Sequence, residues 1–149
     1  MGSRTKEEAT RCLIRIESPD LLLFQETKME EYAFLKINKK LWKKSEGQAV
    51  SARGASGGLG TIWNVNKFIK IREVKNTHSL FTKLQHLESD MILSLFNVYA
   101  PVSTGEKKHC WDFIRSLAEF EELANIIIAG DFNLTLSLSK KRGGSNVRD

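Results

Sequence analysis

Ile126-Ile127-Ile128-Ala129-Gly130-Asp131-Phe132-Asn133 is the stretch from which the fold is read. Four consecutive apolar residues, three of them isoleucine, predict a short strand buried on both faces, with an acid and an amide delivered at its carboxyl end. Strand carboxyl ends are where open α/β sheets place their chemistry. Side chains alternate along extended backbone, so Asp131 and Asn133 are expected on one side and Phe132 in the core. Gly130 lets the backbone turn without a Cβ clash. A Gly-Asp turn after a buried strand is commonly plain turn chemistry, so its meaning depends on what the other strand ends carry.

Moving back along the chain, Ser103 and Glu106 form a capping-box pattern. It predicts a helix running through Leu123 with Trp111, Ile114, Leu117 and Ala118 as its buried stripe. Met91 to Ala100 is the longest strand candidate; Asn97 and Tyr99 share a face, and Pro101 stops it. Lys67 to Val74 alternates, and Leu80, Phe81 and Leu84 follow the turn-like Lys75-Asn76-Thr77, so paired strands on a half-exposed sheet are expected. Arg53-Gly54-Ala55-Ser56-Gly57-Gly58 is a flexible turn into Leu59-Gly60-Thr61-Ile62-Trp63. It lacks the Lys-Ser/Thr ending of a P-loop, which makes it a weak nucleotide motif. Lys28 to Ala52 is lysine-rich without firm periodicity, a helix or loop followed by irregular strand. Leu21-Leu22-Leu23-Phe24 predicts a second buried strand, followed at once by Gln25-Glu26-Thr27; a lone Glu there would ordinarily just open a solvated segment. From Thr5 to Ser18, Ala9, Cys12, Leu13 and Ile16 fall on one helical face, Thr5 with Glu8 suggests a capping box, and Pro19 ends the helix. Downstream lie Leu134-Thr135-Leu136 and the basic turn Lys140-Lys141-Arg142-Gly143-Gly144. The order of elements indicates mixed α/β.

At 149 residues, 41% hydrophobic and 28% charged, the chain is expected to be one soluble domain over 1–149, monomeric and intracellular, with a nuclear location compatible with its charge. No apolar run approaches the roughly 20 residues that cross a bilayer, and the first residues carry no signal-peptide h-region. Cys12 and Cys110 sit in helical patterns without metal-ligand spacing, so buried free thiols are expected. The net charge of +5 gathers at Lys36, Lys39, Lys40, Lys43 and Lys44 and again at Lys140, Lys141 and Arg142, which suits a polyanionic partner such as DNA.

Three strand ends thus carry polar groups: Glu26, the Asn97/Tyr99 pair and the Asp131/Asn133 pair. Carboxylates, amides and a phenol gathered this way are what a hard-cation phosphoester site needs. The strings Gln25-Glu26-Thr27, Asn97-Val98-Tyr99-Ala100-Pro101 and Gly130-Asp131-Phe132-Asn133, in this order and at these separations, resemble the endonuclease/exonuclease/phosphatase superfamily. More narrowly, residues 19–28, 54–63, 94–101 and 126–144 resemble the endonuclease domain of plant LINE-type non-LTR retrotransposons.

That resemblance implies a two-sheet αββα sandwich of the deoxyribonuclease-I-like kind and a Mg²⁺ or Mn²⁺ cofactor. Glu26 is similar to the family's metal-binding glutamate. Asp131 is similar to the aspartate that orients and deprotonates water, Asn133 to its phosphate-contacting amide partner, and Tyr99 to a tyrosine hydrogen-bonded to a phosphate oxygen. Asn97 is as readily structural. Lys140, Lys141 and Arg142 would be a nucleic-acid contact. The chain departs from the family pattern at both ends: an amino-terminal strand with a metal-placing asparagine, and carboxyl-terminal strands with a second aspartate and an Asp-His pair, find no match. None of His78, His86 and His109 matches a family position, and surface histidines are expected. The fold is therefore expected to be the first two thirds of the sandwich. Two functions follow, a metal-dependent endonuclease of retroelement origin and a catalytically inactive remnant with at most weak nucleic-acid affinity. A third, phosphatase action on a small phosphoester, is disfavoured by the basic loop.

Overall fold

A computed structural model describes residues 3–121 and 125–134. The chain runs α1 (Arg4–Glu17), β1 (Leu21–Gln25), α2 (Glu31–Leu41), β2 (Ser45–Val50), β3 (Leu59–Asn64), β4 (Phe68–Lys75), β5 (Ser79–His86), β6 (Ile92–Tyr99), α3 (Thr104–Ala118) and β7 (Ile126–Asp131). One sheet has the order β1-β3-β2, the other β4-β5-β6-β7. All pairings are antiparallel except β6 with β7. A parallel pair needs a crossover, and α3 supplies it.

Alternation along the strands sorts side chains into three packed layers. Between the sheets lie Trp63, Phe68, Leu84, Leu93 and Leu95, with Leu21 and Leu23 against them. On the far side of the larger sheet, Phe81, Phe96 and Val98 meet Cys110 and Ile114 of α3. On the far side of the smaller sheet, Phe34 of α2 packs with Ala49 and Ile62. Full burial of a side chain such as Phe34 is worth about 1.5–3 kcal/mol, and this helps seat a lysine-rich helix whose apolar positions Phe34, Ile37 and Leu41 fall on one face. The result is helix, sheet, sheet, helix, the α/β sandwich that the motifs imply.

Several local expectations change. The Ile126–Asp131 strand is not buried on both faces: among the described residues β7 is the outermost strand of its sheet, and Ile127 and Ile128 are 45% and 40% exposed. α1 is capped by Ser3, whose side chain accepts from the Lys6 amide, not by a Thr5/Glu8 box. Its apolar stripe faces outward, with Leu13 and Ile16 exposed and Thr10 buried, because the helix rests against α2 through its other side. Cys12 is consequently exposed, whereas Cys110 is buried as expected. α3 starts with Ser103 accepting from the Glu106 amide, as its capping pattern predicts, but ends at Ala118; Leu123 lies outside the described residues. Lys28 to Ala52 resolves into a turn, α2 and the regular strand β2. β4 is mostly exposed along its length because it is the other edge of its sheet.

At the end of the larger sheet where β6 begins, the buried Glu121 carboxylate accepts from Ser94 Oγ (2.8 Å) and pairs with Lys83 Nζ (2.9 Å). Burial alone would raise its pKa. The hydrogen bonds from Lys83 and Ser94 and the charges of Lys83 and Arg72 outweigh burial and hold it below the ordinary value. A depressed folded-state pKa contributes stability that is present above the unfolded pKa and lost as pH falls through the folded one. Glu121→Gln is therefore expected to cost about 1–3 kcal/mol at neutral pH and to flatten the acid limb of the stability curve. Thermal melts from pH 7 downward check this; parallel curves for the two proteins would assign the acid limb to other carboxylates.

Candidate active site

β1 ends at Gln25, and the chain then turns sharply, with Glu26 and Lys28 both in left-handed conformation (φ 52° and 56°). Non-glycine residues pay for that conformation, and such residues cluster at functional sites. The glycine-rich loop is what holds it. The Thr27 amide donates to Gly58 O (3.2 Å) and the Lys28 amide to Gly57 O (2.9 Å), while Thr27 is buried. Gly58 has φ 94°, and a Cβ there would strike Thr27 Oγ1. The loop that reads as a weak nucleotide motif is thus a clasp for the Glu26 turn. Glu26 itself is about half exposed, with Lys28 Nζ at 3.8 Å, an ion pair of little energetic weight in solvent.

Tyr99 ends β6 and stands directly opposite Asp131 in the parallel ladder. The Ala100 amide donates to Asp131 O (2.8 Å), tying the two strand ends together. Partial burial, then the negative charges of Glu26 and of Asp131, raise the Tyr99 pKa. Both carboxylates therefore act on one phenol, which stays protonated at neutral pH.

After Asp131 the strand stops and a side chain shapes the turn: Asp131 Oδ1 accepts from the Asn133 amide (3.0 Å), and Asn133 adopts φ 47°, which asparagine tolerates better than most residues. Asn133 Nδ2 donates to Ala100 O (2.5 Å), and its carbonyl accepts from Lys107 Nζ of α3 (2.8 Å). Phe132 turns inward and stacks on Trp111, centroids 5.6 Å apart and planes 15° from parallel. α3 thus both crosses over and braces the turn.

Asn97 is structural. It is fully buried, accepts from Gln25 Nε2 (2.7 Å), and donates to Phe24 O (3.2 Å), Gly60 O (2.9 Å) and Thr61 Oγ1 (3.2 Å). It pins the larger sheet to the smaller one directly beneath the Glu26 turn.

Tyr99 and Asn133 open onto a cleft of about 550 Å³, whose opposite wall is Arg53, Ser56 and Gly57. His78 lines the same cleft, with Nδ1 3.3 Å from Tyr99 O. Sequence reading missed His78, Arg53 and Lys107. The pairing of Ser79 with Val98 places His78 beside Tyr99, and that register is the one signal that could have found it. His86 is half-buried against Phe68 and closes the Ser89 turn, while His109 is exposed as expected. Lys140, Lys141 and Arg142 lie outside the described residues. Among the described residues no three His, Cys, Asp or Glu side chains converge, and no helix is long and apolar enough to cross a membrane.

No protein-family model and no curated protein matches the chain. Solved structures do resemble it. An endonuclease/exonuclease/phosphatase family protein from Bacteroides thetaiotaomicron has a TM-score of 0.71 and 13% identity, covering 89% of this chain and 56% of that one. The human Nocturnin catalytic domain with bound sulfate has a TM-score of 0.65 and 18% identity, covering 86% and 58%. Danio rerio TDP2 complexed with single-strand DNA product has a TM-score of 0.64 and 15% identity, covering 87% and 54%. The chain spans little more than half the length of these structures. At these identities the likeness establishes the fold, the deoxyribonuclease-I-like sandwich of the endonuclease/exonuclease/phosphatase proteins.

Proposed function

We propose that this chain is a divalent-metal-dependent nucleic-acid phosphodiesterase, its domain derived from a retroelement endonuclease of the plant LINE type. The observation that carries the reading is geometric: Asp131 stands opposite Tyr99 in the β6–β7 ladder, and Glu26 follows Gln25, which is hydrogen-bonded to Asn97 two residues before Tyr99. Carboxylates at these strand ends offer the hard oxygen donors that Mg²⁺ or Mn²⁺ takes, its remaining positions going to water and substrate phosphate. Glu26, whose half-exposed carboxylate has Lys28 Nζ 3.8 Å away, would hold such an ion. Bound there, it would neutralise charge on a phosphodiester.

The rest falls to the chain's own side chains. One Asp131 oxygen is committed to the Asn133 amide, and the other takes the proton of a water whose oxygen attacks phosphorus as the bond to the leaving oxygen breaks, that oxygen leaving as a hydroxyl with a proton from solvent. The protonated Tyr99 hydroxyl donates to a non-bridging oxygen. Asn133 spends one N–H on Ala100 O and has a second for the phosphate. Such donors act by preorganisation. The fold shared with a protein solved with DNA product supports a nucleic-acid substrate, and Lys140, Lys141 and Arg142 would add backbone contacts.

A second reading is an inactive remnant with weak nucleic-acid affinity. It is favoured by the lack, among the described residues, of any group of three His, Cys, Asp or Glu side chains that could hold a metal ion. Plasmid nicking in Mg²⁺ or Mn²⁺ separates the two. Slow nicking that chelation stops and Asp131→Ala lowers about a hundredfold or more is the expected outcome. Equal residual rates for the two proteins would establish the remnant, and turnover of a small phosphomonoester without nicking would overturn the nuclease assignment.

A further inference from the structure

The outer side of α2 carries a surface that the cleft does not explain. Tyr32, Lys36 and Lys40 recur every fourth residue and so form one stripe along the helix, and Lys39 and Lys43 flank it. Together with Leu35 these residues line a shallow groove of about 470 Å³ that shares no residue with the Tyr99 cleft. Tyr32 is 69% exposed. Lys39 is tethered, its Nζ donating to Ser45 O (2.6 Å). Lys36, Lys40, Lys43 and Lys44 pair with no carboxylate among the described residues.

We propose that this face binds single-stranded nucleic acid, its lysines following the phosphates and Tyr32 stacking on a base. Unpaired cations concentrated on one helix face attract a polyanion. An exposed aromatic ring within the same lysine-rimmed, largely apolar groove adds what a phosphate backbone alone does not need, a platform for an unstacked base. Duplex DNA keeps its bases stacked inside and offers Tyr32 nothing. An anionic bilayer would attract the same lysines, but an interfacial helix also inserts its apolar face, and that face of α2 is turned to the core, with Phe34 fully buried. The surface goes beyond the phosphodiesterase assignment and does not depend on it.

The test is fluorescence anisotropy of the full chain with a labelled oligothymidylate of about 20 nucleotides, in EDTA so that cleft chemistry plays no part. The triple substitution Lys36→Glu, Lys40→Glu, Lys43→Glu is expected to weaken binding at least about tenfold and to reduce the slope of log affinity against log salt by about two. Tyr32→Ala is expected to weaken binding about fivefold or more with the slope unchanged, and Tyr32→Phe to restore it. All of these positions are exposed, and an unaltered circular dichroism spectrum checks the fold. Undiminished binding in the triple variant, tighter binding of a duplex of equal length, or binding of phosphatidylserine vesicles in place of the oligonucleotide would each overturn the proposal. A chain inactive in nicking that still binds through Tyr32 and these lysines would leave it standing.

Discussion

Gly130→Ala is expected to unfold the chain or bring it to the edge of unfolding. Gly130 sits in β7 at φ 145°, a conformation that L side chains rarely adopt. It also stands opposite Val98 in the parallel ladder, so close that a Cβ would overlap the Val98 carbonyl oxygen and lie 2.8 Å and 2.9 Å from the Val98 carbonyl carbon and amide nitrogen. Those are backbone atoms, and no rotamer change relieves the overlap. β6 and β7 would have to part, losing ladder hydrogen bonds and the alignment of Tyr99 with Asp131. The cost is about 4 kcal/mol or more, against a total of about 5–15 kcal/mol for an ordinary domain. Urea titration followed by tryptophan fluorescence measures it. An unchanged midpoint would mean that β7 shifts without penalty and contributes little to the fold.

Asn97→Ala is expected to be nearly as damaging, through a different cause. The substitution leaves the amide of Gln25 and the hydroxyl of Thr61 without their Asn97 partner inside the sandwich. Each orphaned buried group costs about 1–3 kcal/mol, so a total of about 2–6 kcal/mol follows for the two. Because the lost bonds span the two sheets next to Glu26, nicking should fall together with stability. Full stability with impaired nicking would instead make Asn97 a substrate contact, the alternative that sequence leaves open. Denaturant midpoints and nicking rates on the same preparations distinguish the two.

Where the signal is local, the sequence is a good guide. The isoleucine run, the alternation ending at Tyr99 and the Ser103 cap each depend on neighbours within a few residues, and β7, β6 and α3 form there. The order of the three polar strand ends also carries the sandwich fold. Lys28 to Ala52 is harder, because the short apolar stripe of α2, Phe34, Ile37 and Leu41, is interrupted by Asn38 and lysines, and it is Phe34 packing with Ala49 and Ile62 that seats it. The outward turn of Leu13 and Ile16 is harder still, since an amphipathic pattern defines a face but not the surface that face will meet.

The sequence by itself determined which residue types stand at the ends of β1, β6 and β7, because strand period and strand termination are properties of short segments. Only the tertiary structure decided their company. The parallel register sets Asp131 against Tyr99, the glycine clasp bends Glu26 toward the same phenol, and the opposing sheet turns Asn97 from a candidate ligand into a pin. It likewise brings His78 and Arg53 to one cleft and, among the described residues, leaves β7 outermost in its sheet with Ile127 and Ile128 half exposed. These outcomes rest on contacts between segments far apart in the chain, which no local pattern encodes. Their physical origin is the shared burial of the two sheets, which aligns strand ends that the sequence lists separately.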